Sequence, residues 1–334
     1  MSPIVIIEDL HVRFHGERTV YAVNGVDLHL NKGEVLGVLG ESGSGKSVTL
    51  RAMLRMLPPH RSSISGCIRI AGEDVLALDT AALENMRGGT VSMIFQEPLL
   101  ALDPVYTIGD QIAETVVRHL GVGWTDARKR ALEMLENVRI PSARRRLDAY
   151  PHELSGGMRQ RAMIALALSC NPKVLLADEP TTALDATVQI QILLLLRELQ
   201  RALGMAVIFV THDIGVAVEI SDRLAVMYGG RIVEIGPLKE MVRNPAHPYT
   251  RGLLASTVHG WGRGKRLEAI AGAPPRLDAP PRGCAFAPRC SIAEPVCREG
   301  DIAQSMINTA HMARCVKVHA SSGAPAPRLE AATS

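Results

Sequence analysis

Apolar residues form two different patterns along the first 240 residues. Short apolar runs predict strands at residues 4–7, 20–30, 35–39, 175–177 and 207–210, with further strands within 66–98 that include 91–95. Apolar residues spaced three or four apart predict helices at residues 48–57, 156–170 and 187–203, and a helical insertion over 108–150. The pattern therefore alternates between strands and helices.

The order of these elements indicates the fold class. The runs at 175–177 and 207–210 are apolar throughout, which is typical of strands in a parallel sheet that is buried on both faces. The helix predicted at 187–203 joins them, and Gly204 is placed to end it. This strand–helix–strand unit predicts an α/β protein.

The periodic pattern fades after about residue 240, where Pro, Gly and Cys accumulate. The last residues, SSGAPAPRLEAATS, have the low-complexity composition of a disordered segment. We therefore predict a main domain at 1–240, a cysteine-containing C-terminal extension at 241–319 and a disordered tail at 320–334.

Composition and charge exclude several classes of function. The chain has 334 residues, of which 47% are hydrophobic and 21% charged, as in a soluble globular protein. A net charge of +3 and an aromatic content of 3% argue against nucleic acid as a partner. No apolar run approaches the length of a membrane span, and the first residues lack a signal-peptide pattern. We expect a location in the cytosol or on the cytosolic face of a membrane.

The sequence GESGSGKS at 40–47 matches the phosphate-binding loop pattern G-x-x-x-x-G-K-[ST]. Glycines let successive backbone N–H groups turn toward phosphate oxygens, and Lys46 brings a positive charge to the β- and γ-phosphates. The Ser47 hydroxyl is a candidate Mg²⁺ ligand. A strand is predicted before the loop and a helix after it, so the helix N-terminus faces the phosphates. The residues assigned to nucleotide binding are Gly40, Ser42, Gly43, Gly45, Lys46, Ser47 and Val48.

Two more motifs define a family resemblance. With LSGGM at 154–158 and LLADEP at 175–180, the chain resembles the ATP-binding subunit of an ABC transporter over about residues 4–240. The resemblance implies a P-loop NTPase of the ABC cassette type, with a mostly parallel sheet core, an antiparallel β subdomain and a helical subdomain at about 99–170. It also implies that the chain binds ATP and Mg²⁺ and hydrolyses ATP to drive transport.

Polar residues at predicted strand ends are candidates for catalysis. Asp178 ends an apolar strand, where a buried carboxylate is costly unless it meets a cation, so we assign it to Mg²⁺ with Ser47 and Gln96. Glu179 is the candidate general base that polarises the attacking water. Gln96 resembles the family's Q-loop glutamine. His212 resembles its switch histidine, which would contact the γ-phosphate and hold Glu179 and water in line.

The LSGG motif begins a predicted helix. The free N–H groups at Ser155, Gly156 and Gly157, together with the helix dipole, suit a γ-phosphate. Because one chain already contains a phosphate loop, the resemblance implies that these residues complete the site on a second ATPase subunit. Two cassettes would then meet head to tail with ATP between them.

Two further assignments follow from the resemblance. Asp185 lies in TALD, which resembles the D-loop of the family. Phe14 is our candidate for the aromatic ring that stacks on adenine, and Tyr21 is the alternative.

The segment NPAHPYT at 244–250 resembles the one that follows the cassette in oligopeptide, dipeptide and nickel importers. This resemblance implies two membrane permease subunits, an external solute-binding protein and a second ATPase subunit that is a related paralogue or a copy of this chain. The ATPase would be peripheral, on the cytoplasmic face of the inner membrane. Import of nickel, opines or another small solute remains an alternative to peptides, and a soluble ABC ATPase acting on DNA or ribosomes is a third hypothesis.

Four cysteines cluster in the extension with the spacing C-x5-C-x6-C-x17-C, at Cys284, Cys290, Cys297 and Cys315. Disulfides are disfavoured in the cytosol, whereas four thiolates can hold an iron–sulfur cluster or zinc. The spacing lacks the C-x2-C pair of ordinary zinc ribbons. The segment resembles the tail of peptide-importer ATPases, some of which carry a [4Fe–4S] cluster. The cluster is our first interpretation, followed by zinc and then by free thiols.

Overall fold

The computed structural model describes residues 2–182, 184–256 and 270–318. Its strands are β1 (Pro3–Phe14), β2 (Val20–Asn31), β3 (Val35–Leu39), β4 (Ser62–Ile70), β5 (Glu73–Asp74), β6 (Val91–Ile94), β7 (Val174–Asp178), β8 (Ala206–Thr211), β9 (Arg223–Tyr228), β10 (Arg231–Pro237), β11 (Ser305–Asn308) and β12 (His311–Ala313). Its helices are α1 (Lys46–Met53), α2 (Thr80–Gly89), α3 (Pro98–Ala101), α4 (Ile108–Leu120), α5 (Trp124–Asn137), α6 (Ala143–Arg146), α7 (Gly156–Leu168), α8 (Ala186–Leu203), α9 (Ile214–Ile220), α10 (Leu238–Arg243) and α11 (Pro248–Ala255).

The strands form two sheets. The larger sheet has the order β11-β12-β10-β9-β3-β8-β7-β6, and its strands from β9 to β6 are parallel. The smaller sheet is antiparallel, with the order β2-β1-β4-β5. Every residue of β7 and β8 is buried, as expected for central strands with both faces covered. The predicted α/β class with an antiparallel β part is confirmed.

A helical region lies between β6 and β7 along the chain. Helix α4 begins at the N-cap Thr107, whose side chain accepts a hydrogen bond from the Asp110 amide, and it ends at Gly121 in the left-handed conformation. Helices α4, α5 and α7 pack against one another around apolar side chains such as Ile112 and Leu135. The predicted helical insertion is therefore present. Within the described residues, no helix is long and apolar enough to cross a membrane.

Several predicted element boundaries were wrong. The helix predicted at 48–57 ends at Met53, and Arg55 then adopts a φ of 49°, a left-handed conformation that a helix cannot contain. Within 66–98, where only strands were predicted, α2 forms behind the N-cap Asp79, whose carboxylate accepts from the Ala82 amide at 2.8 Å. The strand predicted at 4–7 extends over the whole of β1.

The extension is joined to the main domain by a sheet and a core. Strand β12 pairs with β10, so β11 and β12 continue the larger sheet. The Tyr228 ring from β9 lies 4.4 Å from the Tyr249 ring and 5.4 Å from the Phe286 ring, measured between centroids. These contacts bury the three rings in one apolar cluster. The predicted disordered tail at 320–334 lies outside the described residues.

Candidate active site

The loop after β3 encloses a cleft of about 620 Å³. Its shape requires glycine, because Gly43 and Gly45 adopt φ values of 77° and 106°. A Cβ atom on Gly45 would lie 2.5 Å from the Ala22 carbonyl oxygen, and one on Gly40 would lie 2.2 Å from that of Met227. The described residues that line the cleft are Gly40, Glu41, Ser42, Gly43, Ser44, Gly45, Lys46, Ser47, Val48, Gln96, Glu179, Thr182, His212 and Leu253.

Lys46 begins α1 and is 5% exposed. Its Nζ donates to the carbonyl oxygens of Gly40 at 2.8 Å and Glu41 at 3.0 Å. Burial lowers the pKa of Lys46, while the nearby carboxylates of Glu179 and Asp178 raise it. An anion in the cleft would favour the charged ammonium in the same way, so the environment of Lys46 fits a phosphate group.

Ser47 and Asp178 meet at the carboxyl end of β7. The Ser47 hydroxyl donates to Asp178 Oδ1 at 2.7 Å, and Asp178 is 1% exposed. Burial raises the pKa of Asp178, and the hydrogen bond from Ser47 lowers it only in part. A carboxylate and a hydroxyl are hard oxygen ligands of the kind that Mg²⁺ binds, and a cation here would offset the cost of burial. These two residues therefore fit a magnesium site.

Glu179 follows Asp178 and is the centre of a polar cluster. Its backbone has a φ of 47°, and its amide donates to the Val210 carbonyl oxygen at 3.0 Å. Its Oε2 atom lies 3.0 Å from His212 Nδ1, accepts from Thr182 Oγ1 at 3.1 Å and from Gln96 Nε2 at 3.4 Å. The Glu179 side chain is 15% exposed and the His212 side chain 60%. The left-handed backbone turns the carboxylate toward the cleft, which Glu179 and His212 both line.

The LSGG residues lie apart from this cleft. Ser155 is the N-cap of α7 and accepts a hydrogen bond from the Met158 amide at 3.4 Å. Ser155 and Gly156 are exposed, and among the described residues that line the cleft neither of them occurs, nor does Gly157. A phosphate held by the loop at 40–47 is thus separate from the start of α7 in this chain.

Asp185 also has a local structural role. It is the N-cap of α8 and accepts from the amides of Thr187 at 3.1 Å and Val188 at 3.0 Å. The helix that Asp185 caps approaches α7 closely, since a Cβ atom on Gly157 would lie 3.0 Å from Val188 Cγ1.

Phe14 and Tyr21 lie at the end of the antiparallel sheet that is near the turn between β1 and β2. Phe14 is half-buried, pairs with Val20 and Ser62, and packs against the core beneath this sheet. The guanidinium of Arg13 lies 5.3 Å from the centre of the Tyr21 ring. Neither ring is among the described residues that line the cleft, so adenine stacking on either one stays a prediction.

Four lining residues, Glu41, Ser44, Thr182 and Leu253, were not assigned a role from the sequence. Thr182 is the first residue of the segment TALD, and its hydroxyl, three residues after Glu179, was the signal that could have identified it. Glu41 and Ser44 lie inside the loop motif at positions where the pattern accepts any residue. Leu253 comes from α11 in the extension, about which the loop motif carries no information.

The four cysteines of the extension line one small cavity of about 20 Å³, together with His247. The Cys284 amide donates to the Cys297 carbonyl oxygen at 2.8 Å, and His247 Nε2 lies 3.8 Å from Cys284 Sγ. All four are free thiols, and burial raises the pKa of Cys284 and of Cys315. Within the described residues, no three His, Cys, Asp or Glu side chains stand in positions that could hold a metal ion.

The parallel sheet, the glycine loop and the Ser47–Asp178 pair define a P-loop NTPase. The family profile described as ABC transporter matches residues 23–182, and the profile described as oligopeptide/dipeptide transporter, C-terminal region, matches residues 233–297. With the relatives below, these matches show that the chain belongs to the ATP-binding proteins of ABC transporters, in the group that carries this C-terminal region. The resemblance found in the sequence is confirmed.

Relatives match over nearly the full length. A protein of Brucella abortus (strain 2308), provisionally named a peptide import ATP-binding protein, is 49% identical over 95% of this chain and 97% of its own. The dipeptide transport ATP-binding protein DppD of Bacillus subtilis (strain 168) is 45% identical over 94% of this chain and 95% of its own. The oligopeptide transport ATP-binding protein OppD of the same strain is 44% identical over 99% and 92%.

Solved structures match the cassette. The ATP-binding cassette MJ0796, solved as a dimer in a post-hydrolysis state with ADP and Pi, has a TM-score of 0.63 and 31% identity, and covers 70% of this chain and 98% of its own. The fold class predicted from the sequence, an ABC cassette of the P-loop type, is therefore confirmed.

Proposed function

We propose that this chain is the ATP-hydrolysing subunit of an importer for dipeptides or oligopeptides. The observation that carries the proposal is the likeness, over nearly the whole chain, to proteins named for dipeptide and oligopeptide transport. The match of the extension to the oligopeptide/dipeptide transporter region supports it independently of the cassette.

The proposed hydrolysis uses the cluster around Glu179. The loop amides and Lys46 would bind the phosphates, and Ser47, Asp178 and Gln96 would hold Mg²⁺, which would supply positive charge to the phosphate groups. Glu179 would accept a proton from water as that water attacks the γ-phosphorus, while the bond from this phosphorus to the bridging oxygen breaks and ADP leaves. His212 Nδ1, 3.0 Å from Glu179 Oε2, would orient this carboxylate, and the imidazole would contact the γ-phosphate. The three polar neighbours within 3.4 Å of Glu179 Oε2 support this assignment, since they fix its direction.

The proposed partners follow from surfaces that the cleft does not use. Ser155, Gly156 and Gly157 would complete the nucleotide site of a second ATPase subunit, either a related paralogue or a copy of this chain, and Asp185 would lie at the same interface. The exposure of Ser155 and Gly156 away from their own cleft supports this arrangement.

The membrane side of the assembly is proposed on similar grounds. Leu99, Val105 and Tyr106 lie between Gln96 and α4 along the chain and are 55%, 69% and 57% exposed, so they offer apolar side chains to a coupling helix of a permease subunit. An external solute-binding protein would deliver the substrate. We place the subunit on the cytoplasmic face of the inner membrane, with the cassette at 1–240 and the extension at 241–319.

Uptake of labelled dipeptides and oligopeptides in the native host tests this function. The natural gene is compared with a Glu179→Gln replacement at matched expression. Loss of peptide uptake with the variant is the expected result. Unchanged uptake of every peptide, with ATPase activity shown to be lost, would contradict the peptide assignment and direct the test to nickel, opines or other small solutes. Copurification with nucleic acid or ribosomes instead of permease subunits would favour a soluble ABC ATPase.

We further propose that Cys284, Cys290, Cys297 and Cys315 bind a [4Fe–4S] cluster, with zinc as the alternative. Their position around one small cavity supports the proposal. Such a site would stabilise an extension that has little apolar core of its own. Anaerobic purification followed by iron, sulfide and zinc analysis tests it. Cys290→Ser should lower the bound metal, whereas Cys67→Ser in the antiparallel sheet should not, and a protein without iron or zinc would contradict both forms of the proposal.

A further inference from the structure

One residue of the phosphate loop, Glu41, connects the nucleotide cleft to the extension through three of its groups. Its carbonyl oxygen accepts from Lys46 Nζ at 3.0 Å. Its amide donates to the Tyr249 hydroxyl at 2.9 Å, and its carboxylate accepts from Arg289 Nη1 at 2.8 Å and 3.1 Å. The Glu41 carbonyl oxygen is a hydrogen-bond partner of Lys46, so the position of Glu41 affects that of the Lys46 ammonium. Tyr249 and Arg289 of the extension in turn hold Glu41 in place.

The guanidinium of Arg289 is held on every side. Its side chain is 6% exposed, against 25% for Glu41. Besides Glu41, it donates to the Tyr228 hydroxyl at 3.1 Å, to the Ala271 carbonyl oxygen at 2.9 Å and to that of Ile270 at 3.1 Å. A nearly buried arginine with this many fixed acceptors cannot change its position easily. The contact with Arg289 therefore restricts the conformation of the phosphate loop.

Tyr249 is equally fixed. It is fully buried in α11, and its ring packs between those of Tyr228 and Phe286, with centroids 4.4 Å and 5.3 Å away. The side chain of the N-cap His247 accepts a hydrogen bond from the Tyr249 amide at 3.1 Å. The Tyr249 hydroxyl, which accepts the hydrogen bond from the Glu41 amide, is therefore held in place by the packing and capping of the first turn of α11.

We propose that Arg289 and Tyr249 are positioning residues for nucleotide binding. They hold Glu41 so that the phosphate loop and Lys46 are organised before ATP arrives. The extension is then part of the nucleotide site, because a loop fixed in its bound conformation loses less conformational entropy on binding. This inference rests on the proposed assignment of the loop to nucleotide phosphates, and it does not depend on the transported substrate or on the metal of the cysteines.

Charge alone offers a competing explanation for any effect of Arg289. Removing the arginine leaves the Glu41 carboxylate unpaired near the phosphates, which would weaken binding by repulsion. The double variant Arg289→Gln/Glu41→Gln separates the two explanations, since it restores the net charge of the pair without restoring the contact of Arg289 Nη1 with both carboxylate oxygens.

The experiment measures the dissociation constant of Mg-ATP for the full chain by competition with a fluorescent ATP analogue. Arg289→Gln is expected to weaken binding about tenfold, the effect of losing one charged hydrogen-bonded contact. The double variant is expected to stay about as weak, because the loop is still not held. Arg298→Gln, which changes an exposed arginine next to another cysteine of the extension, is the matched control and should bind as the wild type does.

Three outcomes would overturn the inference. Unchanged affinity in Arg289→Gln would show that the contact does not support the site, and recovery in the double variant would show that the pair only balances charge. If Arg289→Gln does not fold, the dissociation constant of Mg-ATP is measured for Tyr249→Phe instead. This substitution removes one hydroxyl from a ring that stays in place, and a loss of about threefold is expected, with unchanged affinity as the contrary result. If the wild-type chain itself binds no Mg-ATP, the assignment of the nucleotide site fails instead.

Discussion

His212 Nδ1 lies 3.0 Å from Glu179 Oε2, although the two residues are 33 positions apart in the chain. The contact follows from the parallel pairing of β7 and β8, in which Asp178 is the partner of Val210. Each residue comes just after its strand, so both emerge at the same edge of the sheet. The sheet thus brings the proposed base and its orienting group together beside the phosphate loop.

The first prediction concerns Glu179→Gln. We expect the rate of ATP hydrolysis to fall at least 100-fold, since the amide cannot accept the proton of the attacking water. The affinity for Mg-ATP should change little, because glutamine keeps the size of the side chain and Lys46 remains in place. Single-turnover hydrolysis and equilibrium binding measure the two effects separately.

Glu219→Gln is the control for this substitution, because Glu219 is an exposed glutamate on α9. It should leave both quantities unchanged. A Glu179→Gln chain that hydrolyses ATP within a few-fold of the wild-type rate would exclude Glu179 as the base and leave His212 as the next candidate.

The second prediction concerns the hydroxyl of Ser47. Ser47→Ala removes the donor at 2.7 Å from Asp178 and, in our proposal, one Mg²⁺ ligand. The concentration of Mg²⁺ that gives half-maximal hydrolysis should rise about tenfold, the range seen when one contact near a metal is lost. A magnesium titration of the ATPase rate measures this, with Ser65→Ala on the exposed part of β4 as the control. An unchanged titration curve would remove Ser47 from the proposed magnesium site.

The phosphate loop could be predicted from sequence because its geometry is local. A short strand, a glycine turn and a helix start are adjacent in the chain, and Gly45 shows why the motif needs glycine. Glu179 and His212 could be predicted as well, since each follows an apolar run whose parallel pairing brings the ends together.

The contacts of the extension could not be predicted in this way. Tyr249 and Arg289 reach Glu41 from 208 and 248 residues further along the chain. The periodic pattern of apolar residues predicts helices and strands. It does not predict which side chains of two distant segments come into contact. Helix α2 was missed for a different reason, because its apolar face is only Leu83 and Met86 and its start depends on the cap at Asp79.

The third prediction concerns the LSGG motif. Ser155→Arg should abolish ATP hydrolysis by the assembled transporter, because the bulky side chain would block the surface that we assign to the nucleotide of the second subunit. The same variant, studied as an isolated chain, should bind Mg-ATP with wild-type affinity, since Ser155 lies outside its own cleft.

Binding and assembled-complex ATPase measurements decide this prediction together. Ser65→Arg is the control for adding a bulky cation to an exposed serine, and it should leave both unchanged. If Ser155→Arg weakens Mg-ATP binding by the isolated chain, the motif acts within its own subunit and the proposed head-to-tail arrangement is wrong.

The last prediction concerns the buried carboxylate that joins the extension to the main sheet. Glu234 on β10 is fully buried, lies 2.8 Å from His311 Nε2 on β12 and accepts from the amides of Ala246 and His247 at 2.8 Å each. Burial alone would raise the pKa of Glu234, but the hydrogen bonds from His311 and the amides outweigh burial, so the pKa lies below its ordinary value of 4.5. The charged form is therefore the one that the fold stabilises.

The pH dependence follows from the direction of that shift. A carboxylate whose pKa is lowered by folding stabilises the native state above its unfolded pKa, and this contribution is lost as the pH falls through the folded pKa. Glu234→Gln should lower the free energy of unfolding by about 3 kcal/mol at pH 7, since buried donors lose their charged partner. The difference from wild type should be constant above about pH 5 and shrink below the ordinary value of 4.5.

Urea unfolding of both proteins across this pH range measures the difference, with Glu73→Gln on the exposed strand β5 as the control. If the difference in free energy of unfolding stays the same at acidic pH, the charge of the Glu234 carboxylate does not contribute to stability. The substitution would then act only through side-chain packing. A difference that shrinks as the pH falls would show that the charged Glu234 carboxylate, through its contacts with His311 and with the amides of Ala246 and His247, helps to hold the extension against the cassette.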